Sequence, residues 1–311
     1  MTRTAAFVRF AALVCAGATV GACGSGHSAP KSTPPGPSGS SSAPAAAITP
    51  DVATAMASST RALTAVTSYD YRHLDASHAN AVRFLADPFR SQYESSWTAS
   101  VRPQARKLRA VIKGTTTDVA VAGVDADQVV VLAFGQQTVS NTGLKTPRVD
   151  TFALRTTMTR AAGGWLLSGL DTIGPGTPPT RPSTTWASPD LAAALLSGTD
   201  CLAKLQTVDR RHLDAQVQAM LDCTTGDLQA QVRGRESQLR TAAASNTSVS
   251  TVASAGVASL AADRAGLLVA TTTTSTPRSG SPTEALQRYL VTLRRVSGRW
   301  LVSDLVAPAL K

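Results

Sequence analysis

Four cysteines and one crowd of titratable side chains are the places where this sequence could do chemistry. Tyr69, Asp70, Tyr71, His73, Asp75 and His78 fall within one short stretch. A carboxylate beside tyrosine or histidine donors is what proton abstraction next to a carbonyl requires. The base takes the proton, and paired donors hold the enolate oxygen inside one apolar cavity. The same residues also read as turn chemistry, and an internal repeat separates the two readings. Arg-His-Leu-Asp-Ala at 72–76 recurs at 211–215, an offset of 139, while the two tyrosines give way to Val208 and Arg210. The repeated part needs no substrate: Leu74 anchors into a core, and Asp75 is placed to cap the helix that follows. The chain carries no Gly-x-Ser-x-Gly, His-Glu-x-x-His or phosphate-loop pattern and no spaced set of metal ligands. We therefore expect no enzyme, no catalytic or metal residues and no cofactor.

A second phrase repeats in the same order. Gly163-Gly-Trp-Leu-Leu-Ser-Gly-Leu-Asp171 is echoed by Ser297-Gly-Arg-Trp-Leu-Val-Ser-Asp-Leu305, with Trp165 mapping to Trp300 at an offset of 135. Two landmarks in order, at nearly equal offsets, describe a duplicated unit. A period above a hundred residues makes each copy a domain rather than a solenoid repeat. The boundaries are 49–174 and 188–311, with a proline-rich linker at 175–187.

Each unit reads as helices followed by strands. Thr49-Pro50 starts a helix with Val52, Met56, Leu63 and Val66 on one face. A short helix follows Asp75, and a third runs from Phe89 through Tyr93 and Trp97 towards Leu108. The period then shortens, giving strands at Ala110–Val124, Gln128–Val139, Val149–Thr159 and Trp165–Thr172. The second unit follows suit, with helices at Pro189–Thr207, Asp214–Leu221 and Asp227–Ala244. Its strands are Val249–Leu260, Ala265–Thr273, Glu284–Val296 and Trp300–Val306. The fold class is α+β: two tandem cone-like domains, each with three helices packed on a curved four-stranded antiparallel sheet. Phe84, Trp97, Phe134 and Trp165 are expected to fill the first concavity, and Trp165 and Trp300 to be core residues.

The N-terminus sets the compartment. Arg3 and Arg9 bracket a charged start, and Phe10 to Ala22 is apolar or small throughout. Thirteen residues span about 20 Å as a helix, short of a hydrocarbon core of roughly 30 Å. Residues 1–22 thus read as a secretory signal peptide. Val20-Gly-Ala-Cys23 resembles the bacterial lipobox, which implies that Cys23 is lipidated on sulfur and becomes the mature N-terminus. The localisation expected is the extracytoplasmic face of the cytoplasmic membrane, held by lipid chains at about 0.8 kcal/mol per buried methylene. Residues 23–48 are Gly-, Ser-, Pro- and Ala-rich and are expected to be a disordered tether with a reach of about 28 Å.

Export also bears on Cys201 and Cys223. They fall on the first two helices of the second unit, which must pack together, and the first unit has Ala62 and Phe84 at the same offset. An oxidising compartment permits a disulfide there. The net charge of +10 gathers most densely at Arg102, Arg106, Lys107 and Arg109. These residues suit anionic headgroups or wall polymers as well as a plain solvated helix face. Nucleic acid is excluded as a partner, since export removes it and aromatics are too sparse for a stacking platform.

The order of elements resembles the nuclear transport factor 2-like cone. Tyr-Asp-Tyr-Arg-His-Leu-Asp at 69–75, Pro-Phe-Arg-Ser-Gln-Tyr at 88–93, Val-Val-Leu-Ala-Phe-Gly-Gln-Gln-Thr at 130–138 and Gly-Gly-Trp-Leu-Leu at 163–167 resemble the Mce-associated proteins. Those are accessory proteins of the actinobacterial mammalian cell entry lipid importers. The resemblance covers the first unit. The second keeps only Arg-His-Leu-Asp-Ala, Gly-Asp-Leu and Gly-Arg-Trp-Leu-Val-Ser. It implies a membrane-anchored interaction module whose partner is an envelope protein, an Mce importer subunit among the candidates. Members of that family usually carry one cone behind a transmembrane helix, whereas this chain has a lipobox and two units. Two other functions stay open at this stage: a carrier of an apolar ligand inside a cone, and an isomerase- or hydratase-like enzyme. An open apolar cavity, with or without Asp70 and Tyr71 facing into it, would distinguish them.

Overall fold

In the computed structural model, residues 48–179, 182, 184, 187–209 and 211–308 are described. The signal peptide, Cys23, the tether up to residue 47 and parts of the proline-rich linker lie outside the described residues. Helices come first in each unit, and a four-stranded antiparallel meander follows. The first unit has α1 (Pro50–Val66), a two-residue strand β1 (Tyr69–Asp70), a 3₁₀ turn (Tyr71–His73) and α2 (Leu74–Val82). Next come α3 (Phe89–Ser96), a π-helical turn (Trp97–Val101) and α4 (Arg102–Leu108), then β2 (Val111–Asp125), β3 (Gln128–Ser140), β4 (Arg148–Ala161) and β5 (Gly164–Ile173). The second unit has α5 (Pro189–Gln206), α6 (Leu213–Cys223), α7 (Gly226–Gly234) and α8 (Glu236–Ser245). Its strands are β6 (Asn246–Leu260), β7 (Arg264–Pro277), β8 (Thr283–Val296) and β9 (Arg299–Val306).

The fold is α+β, and the sequence placed its eight long strands to within a few residues. Two helix assignments need correction. The third helix of the first unit is not one regular helix, because Pro103 has no N–H to bond back and its ring crowds the preceding turn. A π turn at Trp97–Val101 absorbs the mismatch. The stretch expected as a single helix at Asp227–Ala244 is broken between Gly234 and Glu236. Glycine costs a helix interior about 1 kcal/mol, and exposed polar neighbours supply no packing to offset it.

Several single bonds recur at matching places in the two units. Thr49 and Ser188 cap α1 and α5 by accepting the backbone N–H three residues on, from Val52 and Leu191, each at 3.3 Å. A proline follows each cap in the first turn. Arg160 and Arg295 send their backbone N–H to the carbonyls of Asp127 and Asp263. Leu85 bridges Leu167 as Thr224 bridges Val302, both in parallel sense. α1 packs on β2, β3, β4 and β5, and α5 on β6, β7, β8 and β9.

One large sheet joins the units, in the order β5-β4-β3-β2-β6-β7-β8-β9, with β1 paired to β2. The join is narrow: among the described residues, β2 and β6 pair only at Val121 and Val257. Bulges in β2 near Thr117 and Ala122 and in β6 near Ala253 and Ala258 bend the strands on either side of it. Gly256 sits at this join. A Cβ there would lie 2.8 Å from the Val121 carbonyl oxygen and 3.0 Å from the Ala120 Cβ. Gly256→Ala should therefore cost about 1–3 kcal/mol through overpacking against backbone that cannot yield. A lower urea midpoint with an unchanged slope would show it, and wild-type stability would mean that the join carries no load.

Candidate functional site

The first junction is organised by Asp70. Its Oδ1 accepts the Arg72 backbone N–H at 2.9 Å, which closes a tight turn and starts the 3₁₀ segment. Both carboxylate oxygens also hold the Arg72 guanidinium, Nη2 to Oδ2 at 2.6 Å. The guanidinium and then the backbone bond keep the Asp70 carboxyl down at about 2. Such a carboxylate is too weak a base for carbon acids near neutral pH. Leu74 is buried beneath it.

The remaining members of the titratable crowd do not converge. Tyr69 is buried with its ring edge-on to Trp97, the centroids 5.8 Å apart. His78 stacks on Tyr93 at 5.9 Å and tilts over Trp97 at 5.3 Å. Burial alone raises the Tyr93 phenol well above its ordinary range. His73 is exposed at the N-cap position of α2 without making a side-chain cap. Asp75 is exposed and bound to Arg102 at 2.8 Å.

The expected cap by Asp75 is thus corrected. The aspartate lies inside the first turn of α2, not before it, and its carboxylate reaches across to α4. Asp214 does the same in the second unit, meeting Arg240 on α8 at 2.6 Å. An aspartate in a first turn is still favoured by the helix dipole. The repeated Arg-His-Leu-Asp-Ala phrase therefore encodes an anchoring leucine and an interhelical ion pair.

The second repeated phrase encodes a clasp. Asp51, in the first turn of α1, forms an ion pair with Arg160 on β4 and accepts the Trp165 Nε1–H at 3.2 Å. Arg160 lies over the indole at 4.5 Å. In the second unit Asp190 holds Arg295 at 2.8 Å, and Arg295 lies over Trp300 at 5.7 Å. Both tryptophans are buried core residues. The aspartates and arginines were missed at the sequence level, although their spacing carries the signal: Asp51 and Asp190 are 139 apart, and each arginine stands five residues before its tryptophan. These exposed pairs orient the helices more than they stabilise them.

Side chains occupy the space between α1 and its strands. Leu63, Leu85, Trp97, Val131, Leu154, Met158 and Trp165 belong to one buried cluster, which continues into the second unit. Phe84 packs at its margin. Phe134 does not, contrary to expectation: it belongs to a second buried cluster with Ala120, Leu132, Ala153, Leu268 and Ala270, drawn from the strands of both units. Residues 131 and 133 face the helices, so strict alternation sends 132 and 134 to the other side.

The Sγ atoms of Cys201 and Cys223 lie 2.10 Å apart and their Cα atoms 5.5 Å apart, tying α5 to α6. Ala62 is buried at the equivalent place on α1. Among the described residues no three His, Cys, Asp or Glu side chains are grouped to hold a metal, and no helix is long and apolar enough to cross a membrane.

No family model matches the chain, and no curated protein does. Some solved structures are similar in part. An IcmL-like type IV secretion system protein from Legionella pneumophila aligns with a TM-score of 0.36 at 14% identity, over 42% of this chain and 98% of its own. The VirB8 protein of Agrobacterium tumefaciens aligns at 0.33 and 17%, over 40% and 93%. An Ntf2-like protein involved in plasmid conjugation spans 82% of this chain and 96% of its own, at 0.28 and 8%. Likenesses this distant say nothing of what the chain does.

Proposed function

We propose that this protein is a non-enzymatic lipoprotein of the extracytoplasmic membrane face, whose two nuclear transport factor 2-like units serve as an interaction module in the cell envelope. The observation that carries the reading is the filled interior: the place where such a cone would hold a substrate is taken up by Leu63, Trp97, Leu154 and Met158. The dispersal of the Tyr69–His78 crowd, with Asp70 neutralised by Arg72, adds to it. A Cys201–Cys223 disulfide suits an oxidising compartment. The lipobox at Val20–Cys23 supplies the anchor. The finer part of the reading, an accessory role beside an Mce-type lipid importer, rests on the sequence resemblance of the first unit.

The anchor and the partner are tested separately. Cys23→Ser should move most of the protein from the membrane pellet to the soluble extracytoplasmic fraction, because a signal peptide alone leaves no acyl chain behind. Unchanged membrane retention would refute the lipid anchor. Crosslinking of the wild-type protein in native membranes, followed by mass spectrometry, should recover an envelope protein. Recovery of no importer subunit would remove the Mce assignment and leave the module reading standing.

A further inference from the structure

The second copy of the Arg-His-Leu-Asp-Ala phrase lines an open pocket of about 550 Å³. Its walls carry Arg211, His212, Asp214, Arg240, Ala243 and Arg278. Three arginines line one space there. Asp214 is committed to Arg240 at 2.6 Å, and Glu236 closes on the same arginine at 2.7 Å. Asp209, the carboxylate next to Arg211, spends its Oδ1 on the Arg211 backbone N–H at 3.0 Å. Among the described residues no acidic side chain pairs with the guanidinium of Arg211 or of Arg278. We infer that this pocket is an anion site that takes a phosphate group, with Arg211 and Arg278 as its principal ligands and His212 and Arg240 at its margin.

The first unit is an internal control. At the equivalent position Arg72 is spent on Asp70 through three side-chain hydrogen bonds. Arg102 answers Asp75 in the place where Arg240 answers Asp214. Arg278 bonds its backbone N–H to Ser245 O just as Thr142 bonds to Leu108 O, so a neutral threonine stands where the second unit has a cation. The same backbone frame is therefore closed by its own carboxylate in one copy and left with two uncompensated guanidiniums in the other. Arginine suits a tetrahedral phosphate because its planar fork donates two parallel N–H bonds, where a lysine acts as a point charge.

Two sources share this chemistry: a lipid phosphate headgroup and a soluble phosphate. The purified Cys23→Ser protein, which carries no acyl chain to hold it on a bilayer, would be titrated with inorganic phosphate by calorimetry. It would also be sedimented with phosphatidylcholine vesicles that contain or lack phosphatidylglycerol. Arg211→Gln with Arg278→Gln should weaken binding at least about tenfold, or 1.4 kcal/mol by the standard conversion. The lysine pair should recover only part of the loss, and Arg72→Gln should change nothing. The three substituted arginines, Arg72, Arg211 and Arg278, are exposed, and melting curves would verify that the variants stay folded. Loss of inorganic phosphate binding in the glutamine pair assigns a soluble ligand. Loss confined to the anionic vesicles assigns a headgroup. Absence of binding to either probe, binding that survives the glutamine pair, or an equal loss in Arg72→Gln would overturn the inference.

Discussion

Phe134→Ala should lower stability by about 3–5 kcal/mol, the range for removing a large buried aromatic, and the loss should be felt in both units. Phe134 is fully buried on β3, on the side of the sheet turned away from α1. Its neighbours there include Leu132 and Ala153 from the first unit and Ala253, Leu268 and Ala270 from the second. Most of them are alanines, too short to move into the space a phenyl ring leaves, so the cavity term stays close to its full value. Leu63→Ala, beneath α1 in the helix-side cluster that also continues into the second unit, is the matched control of about 2–5 kcal/mol. Hydrogen exchange under native conditions separates the two. Phe134→Ala should accelerate exchange in β6 and β7 as well as in β2 and β3, whereas Leu63→Ala should act first on its own unit. If Phe134→Ala leaves β6 and β7 protected as in the wild type, the shared back-face cluster does not couple the units.

Loss of the Cys201–Cys223 bridge should cost about 3 kcal/mol in the chain-entropy treatment of a loop of this length. The bond ties α5, which crosses all four strands of its unit, to α6. The strands beneath bring little packing volume: Ala255, Thr271 and Thr273 are buried there. At the equivalent places the first unit has no sulfur: Ala62 on α1 lies in the buried cluster and Phe84 after α2 packs against that cluster. Reduction, or Cys201→Ala with Cys223→Ala, should therefore destabilise the second unit preferentially. A transition at lower denaturant, absent from the oxidised protein, would report it. Non-reducing peptide mapping of the exported protein is the direct check: a free thiol at either position would sink the prediction and the alignment of the two units with it.

Local pattern in the sequence was enough for the order of elements and the strand limits, because the periodicities of helix and strand are short-range properties. Thr49-Pro50 and Ser188-Pro189 announced α1 and α5, and the shared Trp-Leu phrase announced the last strand of each unit. What the chain could not show locally was which surface each side chain faces once the two units share one sheet. The run from Val129 to Phe134 is apolar at every position, and so is Leu267 to Ala270. Continuous apolar strands mean burial on both faces, but the run does not name what covers the second face. Phe134 was assigned to the helical side for that reason, and only the narrow join of β2 to β6 brings its true neighbours to it. The repeated aspartate failed in a similar way. Spacing made Asp75 a cap, while its partner Arg102 lies 27 residues on and reaches it only through the packing of α4 against the start of α2. The contrast between Arg72 and Arg211 was also out of reach. Both follow an aspartate by two residues, and the two carboxylates differ only in whether they turn to a guanidinium or stop at a backbone N–H. That choice belongs to side-chain packing in three dimensions, where a bond of one or two kcal/mol is decided by neighbours far away in the chain.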